Sequence, residues 1–162
     1  MLSIFLQFIL NIQKELFVVF ISMLPVAELR AGIPLGFAYG FSPQKAFSLA
    51  VIGNAIPVFF ILKYIGNVTE FLSKRSKFFR SFFDWLFKRT NLKISGKYQK
   101  YGLLALMIFV AVPLPVTGAW TGTLGAWLLG INTRKAIPFI FLGILIAGII
   151  VTLLSMGVFS FF

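Results

Sequence analysis

The chain contains no cysteine and no histidine. Disulfides, thiolate nucleophiles, imidazole bases and the usual zinc or haem ligands are therefore excluded together. The acids number four: Glu15, Glu28, Glu70 and Asp84. So small a set leaves almost nothing for paired acid–base catalysis or for a carboxylate metal cage, so neither an enzyme nor a metal or cofactor is expected. No GxxxxGK[ST] loop occurs, so nothing here cradles the phosphates of ATP.

What is present is overwhelmingly apolar. Of 162 residues, 59% are hydrophobic and 12% charged, with a mean hydropathy of +0.98. Soluble domains carry about 25% charged residues, and a soluble fold of this length could not hide so much apolar surface. An integral membrane protein is expected. The opening MLSIFLQFILNIQKE has no basic residue ahead of its apolar run and no small-residue cleavage site behind it. It reads as a helix kept in the mature protein, not as a signal peptide.

The net charge of +11 is unevenly placed. Nine of the fifteen basic residues lie between Lys74 and Lys100, opposed only by Asp84 within that stretch and Glu70 just ahead of it. One basic loop between apolar segments is the positive-inside signature, which argues for a cytoplasmic loop of a multi-pass protein and against a nucleic-acid partner.

Two apolar blocks flank that loop, at residues 14–66 and 101–157. Laid over each other at an offset of 90, Pro25 falls on Pro115, Gly32 on Gly122, Gly40 on Gly130, Lys45 on Lys135 and Gly53 on Gly143. The register points to an internal duplication within one membrane domain spanning 1–162. Each block has an apolar arm (14–24; 101–112), a break rich in proline and glycine, a short apolar segment, a polar turn and a long apolar run (46–66; 136–157). The long runs reach about 32 Å, enough for a hydrocarbon core of about 30 Å, while the arms reach only about 17 Å. A half-length arm, a break and a returning segment describe a re-entrant hairpin, whose irregular backbone must be buried in protein or line a wet cavity. The expected breaks are Pro25, Gly32 and Pro34 in the first copy and Pro113, Pro115, Gly118 and Gly122 in the second. One hairpin and one spanning helix per block inverts the second copy relative to the first, a recurring transporter plan. Ordinary helices in four or five spans, with the breaks as surface loops, are the alternative.

Between the blocks, residues 67–95 form a linker of another kind. Phe71, Leu72, Phe78, Phe79, Phe82, Phe83 and Leu86 share one helical face. Lys74, Lys77, Arg80, Asp84 and Lys88 share the other, with Arg75 and Arg89 at the apolar edge. This pattern fits a helix lying on anionic lipid, with Lys74, Arg75, Lys77, Arg80, Lys88 and Arg89 at the headgroups; a helix that docks a protein partner is the alternative.

The first break reads LPVAELRAGIPLG and holds Glu28 and Arg30. An ionisable residue in a membrane segment costs about 2.5–3.5 kcal/mol, so it tends to mark a substrate or proton path. Positions i and i+2 diverge on a continuous helix but can meet where the helix is unwound. Arg30 would contact an anion, and Glu28, taken partly out of water, would exchange protons. A plain ion pair holding the hairpin tip is the competing view. At the matching positions of the second break stand Gly118 and Trp120, with Thr117, Thr121 and Thr123 nearby. A cavity between the tips would have a charged wall and a polar, aromatic one. Trp120 fits either stacking on a flat or cationic substrate or anchoring at the interface. Asn54, the ninth residue of the long run, fits interhelical hydrogen bonding or the cavity wall. The substrate or ion set is then Glu28, Arg30, Asn54, Thr117, Trp120 and Thr121. The glycines read mostly as close helix packing.

ELRAGIPLG and VPLPVTGAWTGTLGAWLLG resemble the signature of the putative small multidrug export protein family, over residues 14–157. That resemblance implies a small transporter of the prokaryotic inner membrane. More distantly, the layout is similar to the DedA or VTT superfamily, with its two re-entrant hairpins and its link to lipid carriers such as undecaprenyl phosphate. Pro25 to Glu28 is similar to that superfamily's first hairpin, and KYGLLALMIFVAVPLPVTG to the approach to its second. Val110 and Val116 stand where the superfamily carries arginines.

The expected protein is all-α and membrane-embedded: two inverted repeats, each a re-entrant hairpin plus a transmembrane helix, joined by a basic amphipathic interfacial helix. The expected function is secondary export of a small molecule, coupled to protons through Glu28. The alternatives are a translocase for a polyprenyl phosphate carrier and a non-transporting scaffold or assembly factor. Two hairpins and two spans make a thin bundle, so a homo-oligomer, most simply a dimer, is expected in contact with anionic lipid.

Overall fold

Proline and glycine decide where these helices stop. The computed structural model describes residues 2–91, 98–114 and 117–159, with side chains over 7–85, 101–114 and 117–158. Pro115 and the side chains of Lys88 and Arg89 lie outside the described residues. Among the described residues every regular element is helical: α1 (Leu2–Met23), α2 (Glu28–Ala38), α3 (Pro43–Arg75), α4 (Lys77–Asn91), α5 (Tyr98–Ala111), α6 (Ala119–Leu128) and α7 (Thr133–Phe159). Two of them, α3 and α7, are long and apolar enough to cross a membrane. With the composition, they make this a membrane protein.

The short helices α2 and α6 end alike. At the first, Gly40 takes φ +76, and the N–H groups of Tyr39, Gly40 and Phe41 donate to the carbonyls of Leu35, Phe37 and Gly36 at 3.0, 2.8 and 3.0 Å. Ninety residues on, Gly130 takes φ +63, and Leu129, Gly130 and Ile131 donate to Gly125, Trp127 and Ala126 at 2.9, 3.0 and 2.9 Å. This is the left-handed C-terminal cap that glycine adopts without steric cost. The following long helices are capped at equivalent positions, by Ser42 Oγ accepting from Lys45 N and Asn132 Oδ1 accepting from Arg134 N.

Packing repeats as well. In each half the first helix packs on the second and third, and the second on the third. Across the halves α3 packs on α7, α2 on α7 and α6 on α3. The two long helices run antiparallel: Phe47 and Ser48 share a groove with Ile149 and Thr152, whereas Ile56, Phe59 and Phe60 share one with Phe141.

Small residues hold these contacts close. Ala46, Ala50, Ala119, Ala126 and Ala136 are 0% exposed, as expected where helix backbones approach without the water-driven burial of a soluble core. A Cβ on Gly53 would strike the Val19 carbonyl and Ser22, and one on Gly143 would strike the Met107 carbonyl and Val110. These contacts correct the uniform register expected from sequence. The long helices correspond at an offset of 90, but α1 and α5 correspond at 88, so the second break carries two extra residues. Pro113, not Pro115, is the equivalent of Pro25.

Three expected boundaries also move. The arm at 14–24 is the end of a 22-residue helix that runs straight through Lys14 and Glu15. Both charges have partners beside the α2–α3 turn: Glu15 lies 2.5 Å from Lys45 Nζ, and Lys14 Nζ sits 5.7 Å from the Tyr39 ring centre. The first long run reaches Arg75 rather than residue 66, because 67–75 holds no breaker and Glu70 pairs with Lys74 at 2.6 Å one turn on. At 33 residues, α3 is about 50 Å long by its rise per residue. It ends at Ser76, which is extended, so the linker expected over 67–95 is divided there and its amphipathic helix begins at Lys77.

Candidate functional site

The residues that flank the first break, 24–27 before α2, are bonded to those around the second, which precedes α6. Glu28 opens α2 with φ +47, the one non-glycine residue at positive φ among the described residues. That backbone turn sends its side chain away from α2 towards α6, where the carboxylate is buried at 5% exposure. Its Oε1 accepts from Trp120 N at 3.2 Å, and the Ala119 N–H also points at the carboxylate. A helix start leaves its first N–H groups without helical partners and carries partial positive charge. Gly118, the residue before α6, offers no side-chain cap. Glu28 supplies that cap from the other half of the chain.

Two further bonds close the arrangement. Arg30 Nη2 donates to the Thr117 carbonyl and lies 3.9 Å from Glu28 Oε2. The Trp120 indole Nε1 donates to the Met23 carbonyl at 3.0 Å, at the end of α1. Carboxylate, guanidinium and indole thus form a clasp between the halves. Glu28 and Arg30 pair despite their i, i+2 spacing because Glu28 is not in helical conformation. The wall-to-wall cavity expected between the tips is occupied here by these side chains.

Gly118 makes the clasp sterically possible. It takes φ +146, and a Cβ there would overlap both carboxylate oxygens of Glu28. Pro25 and Pro113 do lie in the breaks. Gly32, Pro34 and Gly122, expected in the breaks, lie inside α2 and α6 instead. Gly32 sits against Ser22 and Ala50, and Gly122 against Val110, where bulk would separate the helices. Pro34 is the seventh residue of α2, where it removes the donor that would reach the Arg30 carbonyl and sets its ring against that carbonyl.

The remaining expected residues divide. Thr117 belongs to the clasp through its carbonyl, whereas its hydroxyl turns inward and donates to Val112 and Leu114 carbonyls at 2.7 and 2.9 Å. The exposed Thr121 hydroxyl bonds the Gly118 carbonyl at 3.3 Å. Asn54 is 1% exposed and its Oδ1 has no hydrogen-bond partner among the described residues. Its depth follows from register. Gly32 and Ala50 lie side by side on antiparallel α2 and α3, so Glu28 and Asn54, each four residues further from the turn, share a level. The Met23 carbonyl and Ala119 were not anticipated; backbone groups carry no signature in a sequence.

Over residues 28–150 the chain matches the family described as "Putative small multi-drug export protein". The chain belongs to that family. The matched stretch begins at the clasp's own carboxylate, just after the first break, and takes in α2 to α6, the second break and most of α7. Neither curated proteins nor solved structures returned a match. As a small multi-drug export family member, the chain carries a transporter-like role by description, and among the described residues the clasp holds the buried carboxylate, Glu28.

Proposed function

We propose that this protein is a secondary exporter of small molecules whose path is gated where the two breaks meet. The observation that carries the reading is Glu28, a buried carboxylate of one half capping the helix of the other. The clasp lies at mid-depth: Asn54, level with Glu28, is eleven residues into α3, about 16 Å down a core about 30 Å thick. Charge placed there is costly and is kept where it acts on substrate or proton. Antiparallel α3 and α7, with the exchanged contacts of α2 and α6, support two inverted repeats of a re-entrant hairpin and a spanning helix. Protonation of Glu28 removes the charge that holds α6, so the tips part, a path opens past Asn54 and Trp120, and proton entry is tied to substrate exit.

The positive-inside rule sets α4 on the cytoplasmic face of a prokaryotic inner membrane, and a homodimer gives the thin bundle a second wall. The test is efflux of a fluorescent lipophilic cation such as ethidium from proteoliposomes, with and without a pH gradient. The gradient should accelerate the wild type and leave Glu28→Gln unaffected. Equal acceleration of both would remove Glu28 from coupling. A lipid-carrier substrate would instead show greater dependence on Arg30 than on Glu28 for movement of a polyprenyl phosphate in the same vesicles.

A further inference from the structure

Among residues 77–85 of α4, Phe83 alone is half-buried; the others are exposed. Its ring meets Trp127 edge to face, with centroids 6.3 Å apart, and Trp127 is the ninth residue of the ten-residue α6. Thus α6 is a rod of about 15 Å gripped at both ends: by Glu28 at its start and by Phe83 near its finish. On the outward side of α4, Lys77, Arg80, Ser81, Asp84 and Trp85 line a cleft of about 410 Å³. Phe78, Phe82 and Trp85 are exposed beside it at 72%, 43% and 53%.

We propose that this cleft is a binding site for the headgroup of an anionic phospholipid, and that its occupancy sets the position of α6 and so the state of the clasp. Lys77 and Arg80 outweigh the single carboxylate of Asp84, and two cationic side chains with the Ser81 hydroxyl fit a phosphodiester. The neighbouring aromatic rings fit the acyl boundary below it, which a free phosphate in water would leave exposed. That combination favours lipid over a soluble anion. Because the Phe83 ring joins α4 to α6, seating α4 on the bilayer presses α6 towards Glu28, and lifting α4 withdraws that support. Anionic lipid therefore holds the clasp shut. This goes beyond the export reading, and its test reads position rather than flux, so either can fail alone.

The chain has no native cysteine, so a single Val26→Cys reports on the first break, where Val26 is 91% exposed. N-ethylmaleimide labelling is followed in vesicles of phosphatidylcholine alone or mixed with phosphatidylglycerol. Labelling should slow several-fold when phosphatidylglycerol is present. Lys77→Gln with Arg80→Gln should abolish the difference. Phe83→Leu, which keeps an apolar contact, should preserve part of it and Phe83→Ala none. Identical rates in the two lipids would overturn the proposal, as would full lipid dependence in Phe83→Ala. Slowing by inorganic phosphate in pure phosphatidylcholine vesicles would assign the cleft to a soluble anion and overturn the lipid assignment.

Discussion

The carboxylate of Glu28 occupies the space that a side chain on Gly118 would fill. These two residues are equivalent positions in the repeat, ninety apart, and the exchanged packing of the halves brings them together at the clasp. Equivalent positions that meet cannot both carry a long side chain. One copy supplies the charge and the other supplies the room for it, which is why the carboxylate of Glu28 is not duplicated at Gly118.

Gly118→Ala should therefore be costly, since the new Cβ overlaps the carboxylate and the backbone sits at φ +146. A loss of about 1–3 kcal/mol is expected, read as a lower thermal midpoint in detergent. Adding Glu28→Ala should recover part of the loss, because the overlap goes and the backbone strain stays. Strictly additive effects in that double-mutant cycle would show that the two positions do not touch.

Trp120→Phe keeps a ring of similar shape and removes the Nε1 bond to Met23. The expected cost is about 1 kcal/mol, with faster maleimide labelling of a cysteine at Val26 as the break loosens. Unchanged labelling would remove the indole from the clasp.

Gly53→Ala and Gly143→Ala should destabilise to similar degrees, about 1–3 kcal/mol each, because each pushes a methyl into a backbone carbonyl of the preceding arm. Gly66→Ala is the control. Nothing lies within 4 Å of a Cβ there, and alanine favours helix by about 1 kcal/mol over glycine. Thermal midpoints of the three variants decide whether the halves pack alike.

Asn54→Leu removes an unpartnered polar atom from the core and is close to isosteric. It should raise the thermal midpoint while lowering efflux, the usual exchange where an unsatisfied group serves function. A variant that is stabilised and fully active would make Asn54 a packing residue only.

Much of this architecture is legible in the residue string. The Gly40 and Gly130 caps announce themselves because glycine at a helix end has a local cause, and the basic face of α4 shows in its spacing. Helix lengths were harder to read. Lys14 and Glu15 look like a boundary until Lys45 and Tyr39 are seen beside them, and those partners are brought close only by the fold. Gly32, Pro34 and Gly122 look like breakers, but a single glycine or proline inside a packed helix serves approach as readily as interruption. The clasp itself was half-visible. Glu28 and Arg30 stood out as charge in an apolar run, whereas what they hold, the N–H groups of α6 and the Thr117 carbonyl, is main chain that every residue possesses.

Glu28 also holds its own backbone in a region that non-glycine residues seldom occupy, at a cost of order 1–3 kcal/mol. In the gating we propose, the clasp would work like a sprung catch. Freeing the carboxylate from α6 would let α2 unwind or rewind towards an easier geometry, so part of the energy for opening would already be stored in the closed tip.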